Sequence, residues 1–314
     1  MSNPNAHEST SDEVAASRAA PRDVPTVSII MPAYNMEAYI ANAIESVLNQ
    51  TVPATEILVV DDGSTDRTTE IVKSFGDKVR LFEQDHLGPY PARNLAGRYA
   101  VGEWLAYLDA DDTWLPNKLE RQFEYIRDDV ALIYTDRYNT GVLAGLPDVH
   151  SHAQPMYSGD VFETLLAGNY ITTSSVLLRA SVLHELGGFS MHPELAVGGD
   201  WDMWLRVAAE HQVIFIDEPL VNYLLHAQGV SRNLNRMLKS RMRSINRALS
   251  SPRGQALDPS FSRQILAATH RCNGWDANRL GNRKSAMISY VQAAMTWPFE
   301  KENFLGLART VLKR

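Results

Sequence analysis

The acidic segment Asp109–Asp112 (DADD) is the part of the chain best suited to chemistry. It follows an apolar run, 103–108, that is typical of a buried strand. Mg²⁺ commonly takes one or two carboxylates and completes its shell with phosphate oxygens and water, so a D-x-D pair can share a hard cation with a diphosphate. Such a cation stabilises negative charge on a departing diphosphate. The spacing predicts a divalent-metal site at Asp109 and Asp111, with an Asp-rich turn that binds nothing as the alternative.

A second acidic segment, Asp61–Asp66 (DDGSTD), follows another apolar run, 55–60. An acid at this strand end could accept hydrogen bonds from a nucleobase N–H or from a ribose hydroxyl. The alternative is a turn that leads into a helix, with Thr65 or Asp66 as the N-cap. The presence of two acidic strand ends in one chain favours the binding interpretation.

Three later positions are further candidates. Asp200 and Asp202 lie in the segment GGDWD, where one of them could act as a general base, although acids at a helix start are also favoured by the macrodipole. Arg93 opens a predicted helix and either presents donors to a phosphate or is an exposed helix-start charge. His226 follows the apolar run 220–225 and is either a ligand or a packed turn residue.

The elements that must position these residues alternate from residue 25 to residue 135. Strand-like runs are followed by segments with helical spacing, which predicts a parallel sheet with helices on both faces. In such sheets ligands bind beyond the carboxyl ends of the strands, where the polar clusters fall. The predicted strands are 26–31, 55–60, 79–83, 103–108 and 172–179, and the predicted helices are 37–48, 67–75, 91–100, 158–167, 200–210 and the chain beyond 231.

The composition is that of a globular protein: 314 residues, 45% of them hydrophobic and 21% charged. This length suits one large domain with an appendage, or two domains. No apolar run approaches the roughly 18 residues of a membrane-spanning helix. Residues 1–24 have no apolar core and are predicted to be a disordered tail, not a signal peptide. The single cysteine, Cys272, excludes an internal disulfide and leads us to expect a cytoplasmic protein.

The net charge of −7 is unevenly distributed. Residues 219–314 carry 16 Lys and Arg against 4 Asp and Glu, whereas residues 1–218 carry 14 against 33. The basic part is either a helical cap with a solvated face or a surface for anionic lipid headgroups or a lipid-diphosphate acceptor. In the second case the segment 297–314 would form an interfacial helix at the inner face of the membrane. Nucleic acid is not an expected partner, because no recognition motif accompanies the charge.

Taken in order, these residues and their neighbours resemble the inverting glycosyltransferases of family 2, which have the GT-A fold. It is the ordered set that is specific, and it covers about residues 25–232. The matching motifs are Pro32-Ala33-Tyr34-Asn35 with Glu37, Val60–Asp66, Ala92-Arg93-Asn94, Leu108–Asp112 with Trp114, Ser174–Arg179, Gly187-Gly188-Phe189, Asp200-Trp201-Asp202, and Tyr223 with His226.

The resemblance implies an α/β fold, namely a Rossmann-like mixed sheet flanked by helices, with a C-terminal helical extension. It divides the chain into a disordered tail (1–24), a GT-A domain (25–232) and a helical C-terminal region (233–314). It also implies a role for each matching site residue. Pro32, Tyr34 and Glu37 should line the nucleotide pocket, Asp62 should bind the base, Arg93 should contact the diphosphate or ribose, Asp109 and Asp111 should contact Mg²⁺ or Mn²⁺ and the ribose, His226 should lie near the diphosphate and metal, and Asp200 should be the catalytic base.

The implied reaction moves a single sugar from a nucleotide-diphosphate donor, a UDP- or dTDP-sugar, to a hydroxyl of a glycan or glycolipid. It is one in-line displacement that inverts the anomeric centre, and by analogy it serves a bacterial surface polysaccharide or glycolipid. The chain departs from the family in two respects. Gly199 precedes Asp200 where the family often has Glu, which affects acceptor handling, and the Q-x-x-R-W signature of processive members is absent.

Three rival functions fit fewer residues. Asp109–Thr113 matches the D-x-D-x-T pattern of haloacid dehalogenase phosphatases, but a long α/β pattern precedes it and the segments 32–35 and 61–66 would then have no role. A nicotinamide enzyme would carry G-x-G-x-x-G after its first strand, where this chain has Pro32-Ala33-Tyr34. A non-catalytic sugar-nucleotide or glycan-binding module would have lost the metal acids or the base, and all three acids are present.

Overall fold

A computed structural model describes residues 24–141, 147–225 and 234–312. Two predictions therefore lie outside the described residues: the disordered tail, apart from its last position, and His226 as a neighbour of the metal. The strands are β1 (Val27–Ala33), β2 (Glu56–Asp61), β3 (Arg80–Glu83), β4 (Trp104–Tyr107), β5 (Thr113–Trp114), β6 (Val130–Gly141), β7 (Leu177–Arg179) and β8 (Gln212–Leu225).

Helices lie between the strands and after them. They are α1 (Ile40–Leu48), α2 (Thr68–Lys73), α3 (Pro89–Tyr99), α4 (Lys118–Phe123), α5 (Phe162–Ala167), α6 (Ala180–Glu185), α7 (Gly199–Glu210), α8 (Leu234–Leu249), α9 (Pro252–Gln255), α10 (Pro259–Arg279), α11 (Arg283–Thr296) and α12 (Lys301–Leu312). Short 3₁₀ turns occur at Gly76–Lys78, His150–His152, Thr173–Ser175 and Pro193–Leu195.

The strands form one mixed sheet in the described part of the chain, in the order β3-β2-β1-β4-β7-β6-β8-β5. The pairs β1–β2, β2–β3, β1–β4 and β6–β8 are parallel. By contrast, β7 runs antiparallel to both β4 and β6, and β5 runs antiparallel to β8. The parallel sheet predicted from residues 25–135 is therefore right for β1–β4, and the mixed sheet that the resemblance implies for the whole domain is confirmed.

Alternating side chains of the central strands pack on opposite faces of the sheet, as strand geometry requires. Ile30 and Leu58 belong to the hydrophobic cluster that also contains residues of α3 and α7. Ile29 and Val59 belong to the cluster on the other face, which includes α1. Because β1, β2 and β4 are parallel and buried on both faces, the residues after their carboxyl ends meet at one edge of the sheet.

Most predicted elements of the first 110 residues are observed with small shifts of their ends, but the later ones differ. Residues 172–179 form the turn Thr173–Ser175 followed by β7, not one strand, because Ser174 Oγ donates to Asp112 Oδ2 (2.5 Å) and Ser175 Oγ donates to the carbonyl of Thr172 (2.7 Å). The helix predicted from residue 158 begins at Phe162. The long strands β6 and β8 were not predicted.

The C-terminal region is helical from α8 to α12, as predicted. Arg247 of α8 bonds to Asp202 at 3.0 Å, which joins this region to helix α7. In the segment predicted to be interfacial, Phe299 and Leu312 are 82% and 77% exposed, whereas Leu307 packs against a buried cluster in this region. Among the described helices, none has the length and apolar character needed to cross a bilayer.

Candidate active site

The end of β1 carries three of the predicted donor-binding residues. Pro32 is buried in β1 and pairs with Val60 of β2, and Tyr34 follows the strand with its ring partly exposed. Glu37 lies in the loop before α1, where its Oε2 accepts a hydrogen bond from the backbone N–H of Arg67 (3.0 Å). Glu37 thus joins the loop after β1, which contains Tyr34, to the residue before α2.

The two acids after β2 have different partners. Asp61 accepts hydrogen bonds from Ser64 Oγ and from Thr69 Oγ1 (2.7 Å), so it holds its own turn together. Asp62 accepts from the backbone N–H groups of Leu87 and Gly88, both at 2.8 Å. Its carboxylate is buried, and Nδ1 of His86 lies 3.1 Å from Oδ2.

The His86 ring stacks on Tyr34, with ring centroids 3.9 Å apart. Asp62 also accepts a hydrogen bond from the side-chain amide of Gln84 (2.6 Å). In this structure Asp62 therefore organises the loop 84–88, which places an aromatic pair at the predicted base pocket. His86 has no place among the predicted site residues.

An ion pair between the buried Arg93 and the partly exposed Asp109 links α3 to the end of β4. Arg93 donates to Oδ1 of Asp109 while its guanidinium lies 5.2 Å from the centroid of Tyr90 and 5.7 Å from that of Phe189. Burial alone would lower the pKa of Arg93, but the neighbouring Asp109, Tyr90 and Asp200 outweigh it and raise the pKa. The Nε of Arg93 is buried and has no partner among the described residues. A permanent cation is therefore held beside the acidic strand end.

The three acids of Asp109–Asp112 differ in exposure. Asp109 and Asp111 are partly exposed, whereas Asp112 is buried. Asp112 accepts hydrogen bonds from Ser174 Oγ (2.5 Å) and from the backbone N–H of Leu224 (2.9 Å). Burial raises the pKa of Asp112 well above its usual range, and the charges of Asp111 and Asp109 add to this effect. Asp112 is thus a structural residue, whereas Asp109 and Asp111 remain partly accessible to solvent after the carboxyl end of β4.

Asp200 lies in the first turn of α7 and approaches the same edge. Its carboxylate accepts hydrogen bonds from Tyr90 (3.4 Å to Oδ1), Thr173 (3.3 Å to Oδ2) and Asn169 (3.5 Å to Oδ2). These bonds are long, so the carboxylate is weakly held. Burial raises the pKa of Asp200, while Arg93 opposes the increase. A partly buried carboxylate with a raised pKa is suited to general base catalysis.

Tyr90 explains the unusual glycine before Asp200. A Cβ at Gly199 would lie 3.0 Å from Cε2 of the Tyr90 ring, which is tighter than most Cβ contacts in proteins and would require the ring to shift by a few tenths of an ångström. The ring therefore fills the space that a side chain at position 199 would need. The hydroxyl of this ring lies 3.4 Å from Oδ1 of Asp200.

Asp202, the alternative base, is excluded from the site by its contacts. It is 1% exposed and bonds to Arg206 (3.0 Å) on its own helix and to Arg247 (3.0 Å) on α8. Both of its oxygens serve this network. The structure thus assigns the two acids of α7 different positions, with Asp200 at the sheet edge and Asp202 in the contact between helices.

The donor set at the sheet edge suits a hard divalent cation. Asp109 and Asp111 supply carboxylate oxygens, and a cation held by so few protein groups takes its remaining ligands from phosphate and water. Among the described residues, one group of three potential metal ligands has its atoms close enough together to hold an ion. It consists of Glu185, Glu210 and His211 and does not include the acids at the sheet edge. A metal at Asp109 and Asp111 would therefore depend on the donor diphosphate for its coordination.

The residues that sequence reasoning missed are mostly supporting ones. Tyr90 and Phe189 pack around Arg93, and Ser174 connects Asp112 to the backbone N–H of Asp109 (3.1 Å). Phe189 and Ser174 belonged to matching motifs but had no stated role. No sequence pattern or charge distinguishes Tyr90 as a site residue. Its role becomes visible only in the structure, where its ring lies next to Gly199.

The chain shares sequence with known glycosyltransferases. A family model described as Glycosyl transferase family 2 matches residues 28–187. The chain is 32% identical over 218 residues to the Escherichia coli UDP-Glc:alpha-D-GlcNAc-diphosphoundecaprenol beta-1,3-glucosyltransferase WfgD, covering 68% of this chain and 82% of that protein. It is also 32% identical over 199 residues to an uncharacterized glycosyltransferase of Rickettsia felis, covering 62% of this chain but only 32% of the relative's length.

Solved structures share the architecture at low identity. Staphylococcus aureus TarS 1–349 in complex with UDP-GlcNAc superposes with a TM-score of 0.63 at 19% identity, covering 91% of this chain and 90% of that one. The mannosyltransferase PcManGT of Pyrobaculum calidifontis, in complex with GDP-Man and Mn²⁺, superposes with a TM-score of 0.61 at 20% identity, covering 93% and 82%. These similarities establish the GT-A fold that the sequence predicts. The family match over residues 28–187 and the identity with WfgD show that this chain belongs to glycosyl transferase family 2.

Proposed function

We propose that this glycosyltransferase moves one sugar from a nucleoside-diphosphate donor to an acceptor hydroxyl with inversion, and that it depends on a divalent metal. The observation that carries the proposal is the convergence of Asp109, Arg93 and Asp200 at one sheet edge. Arg93 bonds to Asp109 and also opposes the increase in the pKa of Asp200, so the three charges form one electrostatic unit. In this unit Arg93 and Asp109 would serve the diphosphate and its metal, and Asp200 would accept the proton.

The nucleotide side of the site is the surface formed by Tyr34 and the loop 84–88. Tyr34 and His86 offer aromatic faces for a base, and the buried Asp62 fixes the loop that carries His86. Pro32 and Glu37 hold the adjoining wall. We propose UDP or dTDP as the nucleotide. UDP-linked donors appear in the names of WfgD and of the TarS complex, which supports this choice.

Asp109 and Asp111 are the proposed ligands of Mg²⁺ or Mn²⁺, and His226 stays a predicted neighbour of the metal. When bound, the cation would stabilise the negative charge of the leaving diphosphate. PcManGT, which has a similar fold, was solved in complex with Mn²⁺, and this supports the choice of metal. Arg93 adds a second, permanent positive charge next to Asp109.

Asp200 is the proposed base. It removes the proton of the acceptor hydroxyl as that oxygen forms a bond to the anomeric carbon, while the bond from this carbon to the diphosphate oxygen breaks. Attack from the side opposite the leaving group inverts the anomeric configuration in one step. The raised pKa of Asp200 improves its match to a hydroxyl proton compared with an ordinary Asp.

The acceptor is proposed to be a glycan or a lipid-linked sugar of a cell-surface polysaccharide or glycolipid. WfgD, whose name states a diphosphoundecaprenol-linked acceptor, supports the lipid-linked alternative. Peripheral membrane contact on the cytoplasmic side would follow from the exposed Phe299, Phe304 and Leu305 together with the basic residues of α12. The absence of a recognition motif argues against nucleic acid as a partner.

Donor turnover tests this proposal. We would incubate the protein with Mn²⁺ and a panel of UDP-, dTDP- and GDP-sugars and measure the nucleoside diphosphate released with and without candidate acceptors. Asp200→Asn should abolish transfer without weakening nucleotide binding, and NMR of the product should show an inverted anomeric configuration. Retained configuration, or full activity of Asp200→Asn, would refute the mechanism.

A further inference from the structure

A row of three cations lies along one side of α8. Lys239, Arg243 and Arg247 are spaced by four residues and therefore occupy neighbouring positions on the helix surface. The sequence of α8 contains no Asp or Glu that could compensate them. Like charges at this spacing repel each other and destabilise a helix, so the row has an energetic cost that binding of an anion would offset.

The row lines a groove of about 880 Å³. The opposite wall comes from the segment before α7, including His192 and Glu194, and α10 contributes His270. With Gln292 of α11, the groove thus lies between four parts of the chain. It is wide enough for a phosphate or diphosphate group with part of the molecule attached.

The charges facing the groove remain positive in sum. Arg247 is partly compensated by Asp202, which it shares with Arg206. Within the described residues, Lys239 and Arg243 form no ion pair, and Glu194 is the only acid in the lining. The Nδ1 atom of His270 is buried without a hydrogen-bond partner among the described residues.

The groove borders the segment that carries the proposed base. The turn Pro193–Leu195 in its wall is followed by Gly198 and then by Asp200 at the start of α7. Ser240, between Lys239 and Arg243 in sequence, packs closely behind this segment, because a Cβ at Gly198 would lie 3.1 Å from its Oγ. An acceptor bound in the groove would therefore lie beside the segment that leads to Asp200.

We propose that this groove is an acceptor subsite that binds a phosphate or diphosphate group of the acceptor. The inference rests on the proposed function, since it concerns the acceptor of the same reaction. Lys239 supplies a flexible point charge and Arg243 a planar set of donors, the two types of group that proteins use for phosphate. The subsite gives a role to three basic residues of the C-terminal region, Lys239, Arg243 and Arg247, which the proposed nucleotide site does not use.

A pair of double variants tests the subsite. Lys239→Ala with Arg243→Ala removes the two cations that lack partners in the groove. Arg263→Ala with Lys284→Ala removes the same charge from exposed positions outside the groove lining and serves as the matched control. Inorganic pyrophosphate in the presence of EDTA is the probe, and its binding is measured by thermal shift and calorimetry.

The groove variant should bind pyrophosphate at least about tenfold more weakly than the wild type, because it loses two charge-assisted contacts, while the control should match the wild type. All three proteins should keep the same thermal shift with UDP and Mn²⁺. Equal pyrophosphate affinity in both double variants, or none in the wild type, would overturn the subsite. If UDP with Mn²⁺ causes no thermal shift in the wild type, the donor proposal is refuted, while the pyrophosphate result for the groove is unaffected.

A second experiment separates binding of the acceptor's phosphate group from binding of an anionic bilayer surface. Vesicles of phosphatidylcholine with and without phosphatidylglycerol are sedimented with each protein. The subsite predicts that the groove variant and the control sediment equally with anionic vesicles. If the groove variant alone loses vesicle binding and pyrophosphate never binds, the cations of α8 serve the membrane surface and the acceptor subsite is wrong.

Discussion

Asp200 and Asp202 lie in one helical turn, yet the structure predicts opposite consequences for their loss. Asp202 is buried and bonds to Arg206 and Arg247, whereas the side-chain donors to Asp200 lie at the longer distances of 3.3–3.5 Å. We therefore compare Asp200→Asn with Asp202→Asn. The two changes are chemically identical, so each variant is the control for the other.

The effect of Asp202→Asn on stability follows from its partners. Removing one member of a buried ion pair costs about 3–5 kcal/mol. Arg247 is 45% exposed and can regain water, so the lower end of this range, about 3 kcal/mol, applies here. For a chain of this size that corresponds to a decrease of roughly 6 °C in Tm. The remaining folded protein should still transfer sugar.

The effect of Asp200→Asn has the opposite sign. Because the folded-state pKa of Asp200 is raised above its unfolded value, the folded state holds the proton more tightly and ionisation at neutral pH costs stability. The Asn variant should therefore keep or increase its Tm. Loss of a general base should reduce kcat by about 10²–10⁴-fold.

Thermal unfolding monitored by circular dichroism and turnover of the active donor sugar measure both quantities on the same preparations. An Asp202→Asn protein with unchanged Tm and no activity, together with an active Asp200→Asn protein, would reverse the assignment of the base. A strongly destabilised Asp200→Asn protein would contradict the reasoning from burial.

Three further predictions concern single contacts. Gly199→Ala should cost about 1–3 kcal/mol of stability, because its Cβ would lie 3.0 Å from the Tyr90 ring, and a double-mutant cycle with Tyr90→Ala should show that the cost depends on that ring. Arg93→Gln should move the acidic limb of the pH–rate profile to higher pH, since Arg93 opposes the increase in the pKa of Asp200; an unchanged limb would separate Arg93 from the base. Lys118→Met should increase Tm at pH 7, because burial lowers the pKa of Lys118 well below that of the unfolded chain; the wild type should gain stability as the pH rises towards 10 and the variant should not.

The first half of the sheet could be predicted because its strands alternate with helices in a regular pattern. Apolar runs such as 57–60 are buried on both faces, so their ends and the acids that follow them are visible in sequence. The second half could not, because β7 has only three residues and the outer part of β6 is partly exposed and polar. The pairing of β7 with β4 and β6 depends on contacts far apart in sequence, which periodicity does not record.

The residues of the candidate site also fall into those that could be predicted from the sequence and those that could not. Asp109 and Asp200 could be identified from their positions at a strand end and a helix start. Nothing local distinguishes Asp200 from Asp202, because the difference lies in Arg247, which reaches Asp202 from α8. The role of Tyr90 is likewise visible only in space, where its ring occupies the place of a side chain at Gly199.

The central claim is that a nucleoside diphosphate and a divalent metal bind together at Asp111. The direct test is the thermal shift produced by UDP, dTDP and GDP, with and without Mn²⁺, for the wild type, for Asp111→Ala and for the exposed control Asp128→Ala. At about 100 times its Kd a nucleotide adds about 2.7 kcal/mol, or roughly 5 °C. We predict this shift for UDP or dTDP with Mn²⁺ in the wild type and in Asp128→Ala, and its loss in Asp111→Ala. No shift with any nucleoside diphosphate, or an equal shift in Asp111→Ala, would contradict the account.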